Sequence, residues 1–198
     1  RRTIGASESS SIYPLGICVG SLLSLFLSLA LRNVSATLDG MSVYSWCGYA
    51  IMQVGFIATV FVYTRVRKVD VVRVAKIKGK LNPVQIAILP FIAIATILVF
   101  LPLANAWSAF LGIIGYHGAG VSMPSFSNVG FYFLAIFVMA IMPAIGEEIF
   151  MRGTVFPGLA TRNIWFGVLM SGLFFSLMHA NPVQTVHQFG LGIVLALV

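Results

Sequence analysis

Long apolar runs separated by short polar breaks organise this chain. A helix needs about 20 predominantly apolar residues to cross a bilayer, and six stretches read as such helices. The first runs from about Tyr13 to Leu31, after a polar, Ser-rich start at residues 1–11 that reads as a frayed end. Residues 32–42, with Asp39 and Gly40, form a short polar connection to a second span from about Val43 to Tyr63. The third begins at Asn82-Pro83, with Pro83 suited to a first helical position. Pro90 and Pro102 inside it each remove a backbone donor and are expected to kink it. Residues 115–128 hold Gly, Ser, Pro and His117 and read as a loop, with His117 solvated. The fourth span starts near Asn128 and extends to about Phe156, where Pro157-Gly158 is the first stop signal; Pro143 is expected to bend it. A tight turn from Leu159 to Asn163 leads to a fifth span, from about Ile164 to His179, ended by Asn181-Pro182. A sixth begins near Gln184. Gly167, Ser171 and Gly172 on the fifth would let helix backbones approach closely. The expected fold class is all-α, a polytopic transmembrane helical bundle of about six helices.

Composition agrees. Hydrophobic residues make up 59% and charged residues 9%, against roughly 25% charge in a soluble domain, and the mean hydropathy is +1.00. The net charge of +7 is local rather than global. Arg65, Arg67, Lys68, Arg73, Lys76, Lys78 and Lys80 all fall in the loop 64–82. That pattern reports a cytoplasmic juxtamembrane loop and contact with anionic lipids, not a nucleic-acid surface. Val69, Val71, Val72, Val74 and Ile77 alternate with its basic residues, which suits either a short amphipathic surface element or a solvated linker. Cys18 and Cys47 lie in apolar segments without metal-ligand spacing and read as buried free thiols.

Against this background two acids stand out. From Leu81 to Gly146 there is no Asp, Glu, Lys or Arg; then Glu147 and Glu148 arrive together, followed by Arg152. An acid at the centre of a membrane helix costs roughly 2.5–3.5 kcal/mol on insertion scales and is by default a functional hypothesis. Glu148 and Arg152 are spaced i,i+4, so Arg152 can neutralise Glu148. Glu147 lies about 100° round the helix and is left as a candidate acid/base. If the fourth and fifth spans fold as a hairpin centred near residue 161, Glu147 lies level with Phe175, and His179 is one turn further on. A Glu and a His at similar depth make a credible water-activating pair. His187 could either supply a ligand or cap the next helix, the second being the preferred reading; Asn181 and Gln184 are similarly placed. There is no His-Glu-x-x-His, no Gly two residues before Ser171 as a rhomboid-type serine would have, no Gly-x-Gly-Asp, and no Gly-rich phosphate loop.

Glu147-Glu148-x-x-x-Arg152, followed by Phe175-x-x-x-His179, resembles the first two motifs of the CPBP family. This family comprises type II CAAX prenyl endopeptidases and bacteriocin-processing or self-immunity (Abi) membrane proteins. The resemblance divides the chain into upstream transmembrane helices at 1–127, containing the basic cytoplasmic loop 64–82, and a CPBP/Abi-like catalytic core at 128–198. It implies that Glu147 activates water and that His179 assists, as a partner base or, with Glu147, as a metal ligand. Zinc would be the metal if one is used. It also implies that Glu148 and Arg152 shape the site and that Phe175 packs beneath His179. The family's third motif is a His followed four residues on by Asn or Asp. His187 does not match it, because position 191 is Leu191. The core therefore reads as truncated at its C-terminal end, or as having lost that motif.

The expected function is an intramembrane endopeptidase that hydrolyses a peptide bond of a membrane-associated protein or peptide through a Glu/His-activated water. Its expected partners are membrane lipids and a peptide or membrane-protein substrate, and its expected location is the plasma membrane of a bacterium. The alternative is a non-catalytic membrane scaffold or bacteriocin self-immunity protein that keeps the family fold. A proton relay or transporter also suits a buried Glu–His pair, but no internal repeat is visible.

Overall fold

The computed structural model describes residues 4–70, 82–118 and 122–198. Most of the basic loop 64–82, including the alternation from Val71 to Ile77, lies outside the described residues. Among those described, six helices form the bundle. They are α1 (Ala6–Leu31), α2 (Val43–Arg67), α3 (Pro83–Ile113), α4 (Val129–Ala160), α5 (Ile164–Met178) and α6 (Thr185–Leu197). The first four are long and apolar enough to cross a membrane, and α5 and α6 are shorter apolar helices. The chain is an integral membrane protein of all-α, polytopic architecture. Its outward faces carry large apolar side chains such as Phe26, Phe91 and Leu98, as lipid contact requires.

The Ser-rich start is not frayed. Helix α1 already begins at Ala6, and the Glu8 carboxylate accepts a hydrogen bond from the Gly5 amide at 3.1 Å, satisfying one of the free N–H groups at the helix start. Ser10 and Ser11 donate to the carbonyls of Ala6 and Ser7 at 3.0 and 2.9 Å. These bonds hide their hydroxyls in the helix itself. Ser9 and Ile4 are fully buried, and Ser9 Oγ donates to the Thr154 carbonyl at 2.9 Å. Polar composition misled here because the hydroxyls of Ser9, Ser10 and Ser11 each have a backbone partner.

Helix α4 also departs from expectation. It does not stop at Phe156 but continues to Ala160. Two of its segments, 136–141 and 148–155, are π-helical, with hydrogen bonds from i to i+5. Each ends two residues before a proline, Pro143 and Pro157. A proline lacks an N–H and its ring clashes with the carbonyl four residues back; a widened turn accommodates both, so the prolines reshape the helix without ending it. Pro90 and Pro102 likewise lie inside a continuous α3.

The connection 32–42 contains a small antiparallel hairpin, β1 (Thr37–Leu38) and β2 (Met41–Ser42). Asp39 and Gly40 at its tip have φ of 54° and 80°, the double positive φ that favours Asp-Gly in a two-residue turn. The Asp39 carboxylate accepts from the amides of Phe126 and Ser127 at 2.8 and 3.0 Å, tying this hairpin to the loop that leads into α4.

The core gathers α1, α2, α4 and α5. Phe56 and Phe150 stack with centroids 4.7 Å apart, and both are buried with Ile12, Val60 and Val155. Between α5 and α6 the helices meet through glycine: a Cβ on Gly192 would come within 2.8 Å of the Gly172 Cα. Gly167 is similarly tight against Ala160, and Ser171 is fully buried. This is the close approach expected of small residues on the fifth helix.

Candidate active site

Helices α2, α4, α5 and α6 enclose a cavity of about 660 Å³. Helix α2 contributes Tyr49, Gln53 and Phe56; α4 contributes Met139, Pro143 and Glu147. Phe175, Met178 and His179 come from the end of α5, and Gln188 and Leu191 from α6. The cavity reaches Ser45 near the start of α2 and Ser122 in the loop before α4. It therefore opens at the end of the bundle that carries the hairpin, away from the Arg65–Lys68 end of α2.

Glu147 and His179, separated by 32 positions in sequence, are thus walls of one cavity. Glu147 is the last residue before the π segment 148–155. His179 caps the end of α5, and its Nδ1 lies 2.7 Å from the Phe175 carbonyl oxygen. A carbonyl only accepts, so Nδ1 carries the proton and Nε2 of the neutral ring keeps a lone pair. The Phe175 and His179 rings are 5.0 Å apart, centroid to centroid.

Glu148 and Arg152 face elsewhere. The Arg152 guanidinium lies 3.4 Å from the Glu148 carboxylate, donates to the Gly192 carbonyl at 3.3 Å, and sits 4.8 Å over the Phe175 ring. One cation therefore joins α4, α5 and α6 and holds the ring that contacts His179.

His187 does not cap α6. It lies in the first turn, while Asn181 Oδ1 accepts from the Val183 amide at 3.1 Å and starts the preceding 3₁₀ turn, Pro182–Gln184. His117 is exposed. The sequence reading missed Gln53, which is 5% exposed in the middle of α2. It is the single amide side chain in an otherwise apolar span, and that isolation was the available signal. Gln188 was missed as well.

A catalytic zinc has three protein ligands and an open position. Among the described residues no three His, Cys, Asp or Glu side chains gather as such a set. Glu147 and His179 give the cavity two donors, so the described residues do not complete a zinc site.

Fold and cavity together define a polytopic helical membrane protein with a carboxyl and an imidazole lining one cavity inside the bundle. Residues 129–198 match the family model described as Rce1-like, type II CAAX prenyl endopeptidase Rce1-like. That match covers 70 of the 198 residues, and the likeness to CAAX-type endopeptidases lies in this part of the chain. No curated protein and no solved structure matches the chain.

Proposed function

We propose that this protein is an intramembrane endopeptidase in which Glu147 and His179 activate a water molecule against a peptide carbonyl. The observation that carries this reading is that Glu147 and His179 line one cavity while Arg152 engages Glu148 outside it. Glu147, without a cation in direct contact, takes a proton from the water as the oxygen attacks. His179 offers Nε2 as the second acceptor and holds the water between the two side chains. Glu147 then returns the proton to the leaving amine. Substrates are membrane-associated proteins or peptides, which enter from the lipid or through the open end of the cavity. We place the protein in the plasma membrane of a bacterium.

The test is made in the host cell with the full-length protein. Peptides released to membrane and medium are compared for wild type, Glu147→Ala and His179→Ala at equal abundance. Positioned proton transfer contributes typically 10²–10⁴ in rate, so specific fragments should vanish in both variants. Undiminished cleavage by a stably expressed Glu147→Ala protein would overturn the proposal.

A further inference from the structure

Proton transfer is half of peptide hydrolysis; the other half is stabilising the negative charge that develops on the carbonyl oxygen. Donors aimed at that oxygen are often the largest single contribution to the rate. In the proposed reaction Glu147 and His179 are both occupied with the water, and Arg152 is engaged by Glu148, the Gly192 carbonyl and the Phe175 ring. Of the other donors that line the cavity, Tyr49, Gln188 and Gln53 among them, Gln53 is the one set against Gly146, the neighbour of Glu147. Gln53 is almost wholly buried, yet its side chain lines the cavity beside Glu147.

The orientation of this amide follows from its surroundings. One end packs against Gly146, where a Cβ would collide with it. That end is sealed and has no hydrogen-bond partner. The amide lines the same cavity wall as Glu147, the residue that follows Gly146. A carboxylate repels an amide oxygen and attracts an amide N–H, so the sealed end is Oε1 and the open end is Nε2. A buried amide oxygen without a partner costs roughly 1–3 kcal/mol. A position that keeps this arrangement retains the amide for what its nitrogen does. The nitrogen carries two protons, on the side of the amide turned away from Gly146.

We infer that Gln53 is a catalytic residue of the proposed endopeptidase, its Nε2–H donating to the oxyanion formed on the scissile carbonyl. This rests on the endopeptidase reading and deepens it. As the water oxygen bonds to the carbonyl carbon, its O–H bond breaks and the proton passes to Glu147. The C=O π pair moves onto oxygen, where the Gln53 N–H meets it. When the tetrahedral intermediate collapses, the pair returns, the C–N bond breaks, and Glu147 delivers its proton to the amine. Burial fixes the donor before the charge appears, so little reorganisation is needed at the moment of reaction.

The test measures kcat and KM for the purified full-length protein on a cleaved peptide, with thermal unfolding of the same samples. Gln53→Met removes the donor at nearly constant volume, and Gln53→Glu keeps the shape while replacing the donor with an acceptor. Loss of one oxyanion donor lowers kcat by about 10²–10³, so both variants should fall in that range with KM much less affected. Gln53→Met should keep or raise the unfolding temperature, because the unpartnered oxygen goes with it. A kcat within twofold of wild type in either folded variant overturns the inference, as does a loss that only tracks the folded fraction. Glu147→Ala, run alongside, identifies which idea has failed: if it still cleaves, the endopeptidase reading falls; if it is dead while the Gln53 variants work, only the role of Gln53 falls.

Discussion

Gly146 is glycine because the Gln53 carboxamide fills the space a Cβ would take. The closest obstructing atom is the amide Oε1 at the end of the Gln53 side chain, with Gln53 Cβ 3.0 Å away, so a small shift of the amide lets Gly146→Ala fold. The helix preference of Ala, about 1 kcal/mol over Gly, offsets the strain of moving the amide. The cost falls on geometry: Gln53 Nε2 is pushed away from Glu147. Cleavage should drop at least tenfold while the unfolding temperature changes by only a few degrees, and a full-rate Gly146→Ala protein would contradict that placement of Gln53. Arg152 makes the opposite prediction. Its planar group meets a carboxylate, a carbonyl and an aromatic ring at once, which a lysine ammonium does not reproduce. Arg152→Lys should cost about 1–2 kcal/mol, since a cation–π contact is worth about 0.5–2 and a charged hydrogen bond about 1.5–3, part of which lysine retains. Differential unfolding in detergent checks this, and an unchanged midpoint would show that Arg152 is not the tie between α4, α5 and α6. Of these residues the sequence made Glu147, Glu148, Arg152 and His179 legible, because charge and imidazole are conspicuous in an apolar chain. Gln53 was not, because an amide becomes informative only when its neighbours across the bundle are known.

Elements were legible where they depend on composition and illegible where they depend on partners. The six apolar runs became six helices because each must satisfy its own backbone in lipid. The π segments of α4 were hidden, since proline normally marks a stop and only the packed helix shows the turn widening to pass it. The hairpin was hidden for another reason: its two-residue strands are too short to alternate, although Asp39-Gly40 is itself a strong turn signal. That hairpin carries a pH prediction. Slight desolvation at Asp39 opposes its ionised form, but hydrogen bonds from the Ser127 side chain and from the Ser127 and Phe126 amides outweigh it and hold the carboxyl below its usual value of 3.8. A carboxyl whose folded pKa is depressed contributes stability above its unfolded pKa and loses it as pH falls through the folded one. The hairpin tie is therefore fully present above about pH 5 and weakens below about pH 4. Asp39→Asn, which cannot ionise, should be less stable than wild type at pH 7, and the gap should narrow as pH falls from 5 to 3. A gap that is constant across that range would remove Asp39 ionisation from the account.

At the scale of the whole molecule, the cavity and the Arg65–Lys68 end of α2 lie at opposite ends. Helix α2 begins beside the cavity mouth at Ser45 and ends at Arg67. Helix α5 runs the other way, from Ile164 to the cavity wall at His179. Trp107 near the end of α3 donates to the Pro182 carbonyl at 2.8 Å, which places the 115–128 loop at the cavity end too. At the other end, Gly158 near the close of α4 packs on Ser9 and Gly5 at the start of α1. Lys68 and Ser122 must then sit on opposite faces of the membrane. By the positive-inside rule, the seven basic residues in 64–82 predict that Lys68 is cytoplasmic and that the cavity mouth faces the other side. In a background with Cys18 and Cys47 replaced, Ser122→Cys should react with a membrane-impermeant thiol reagent added to intact cells, and Lys68→Cys only after lysis. Labelling of both in intact cells would break the six-helix arrangement. Labelling of Lys68→Cys alone would keep the arrangement and invert the protein, which would turn the mouth of the cavity, and the substrates it can receive, to the cytoplasmic side.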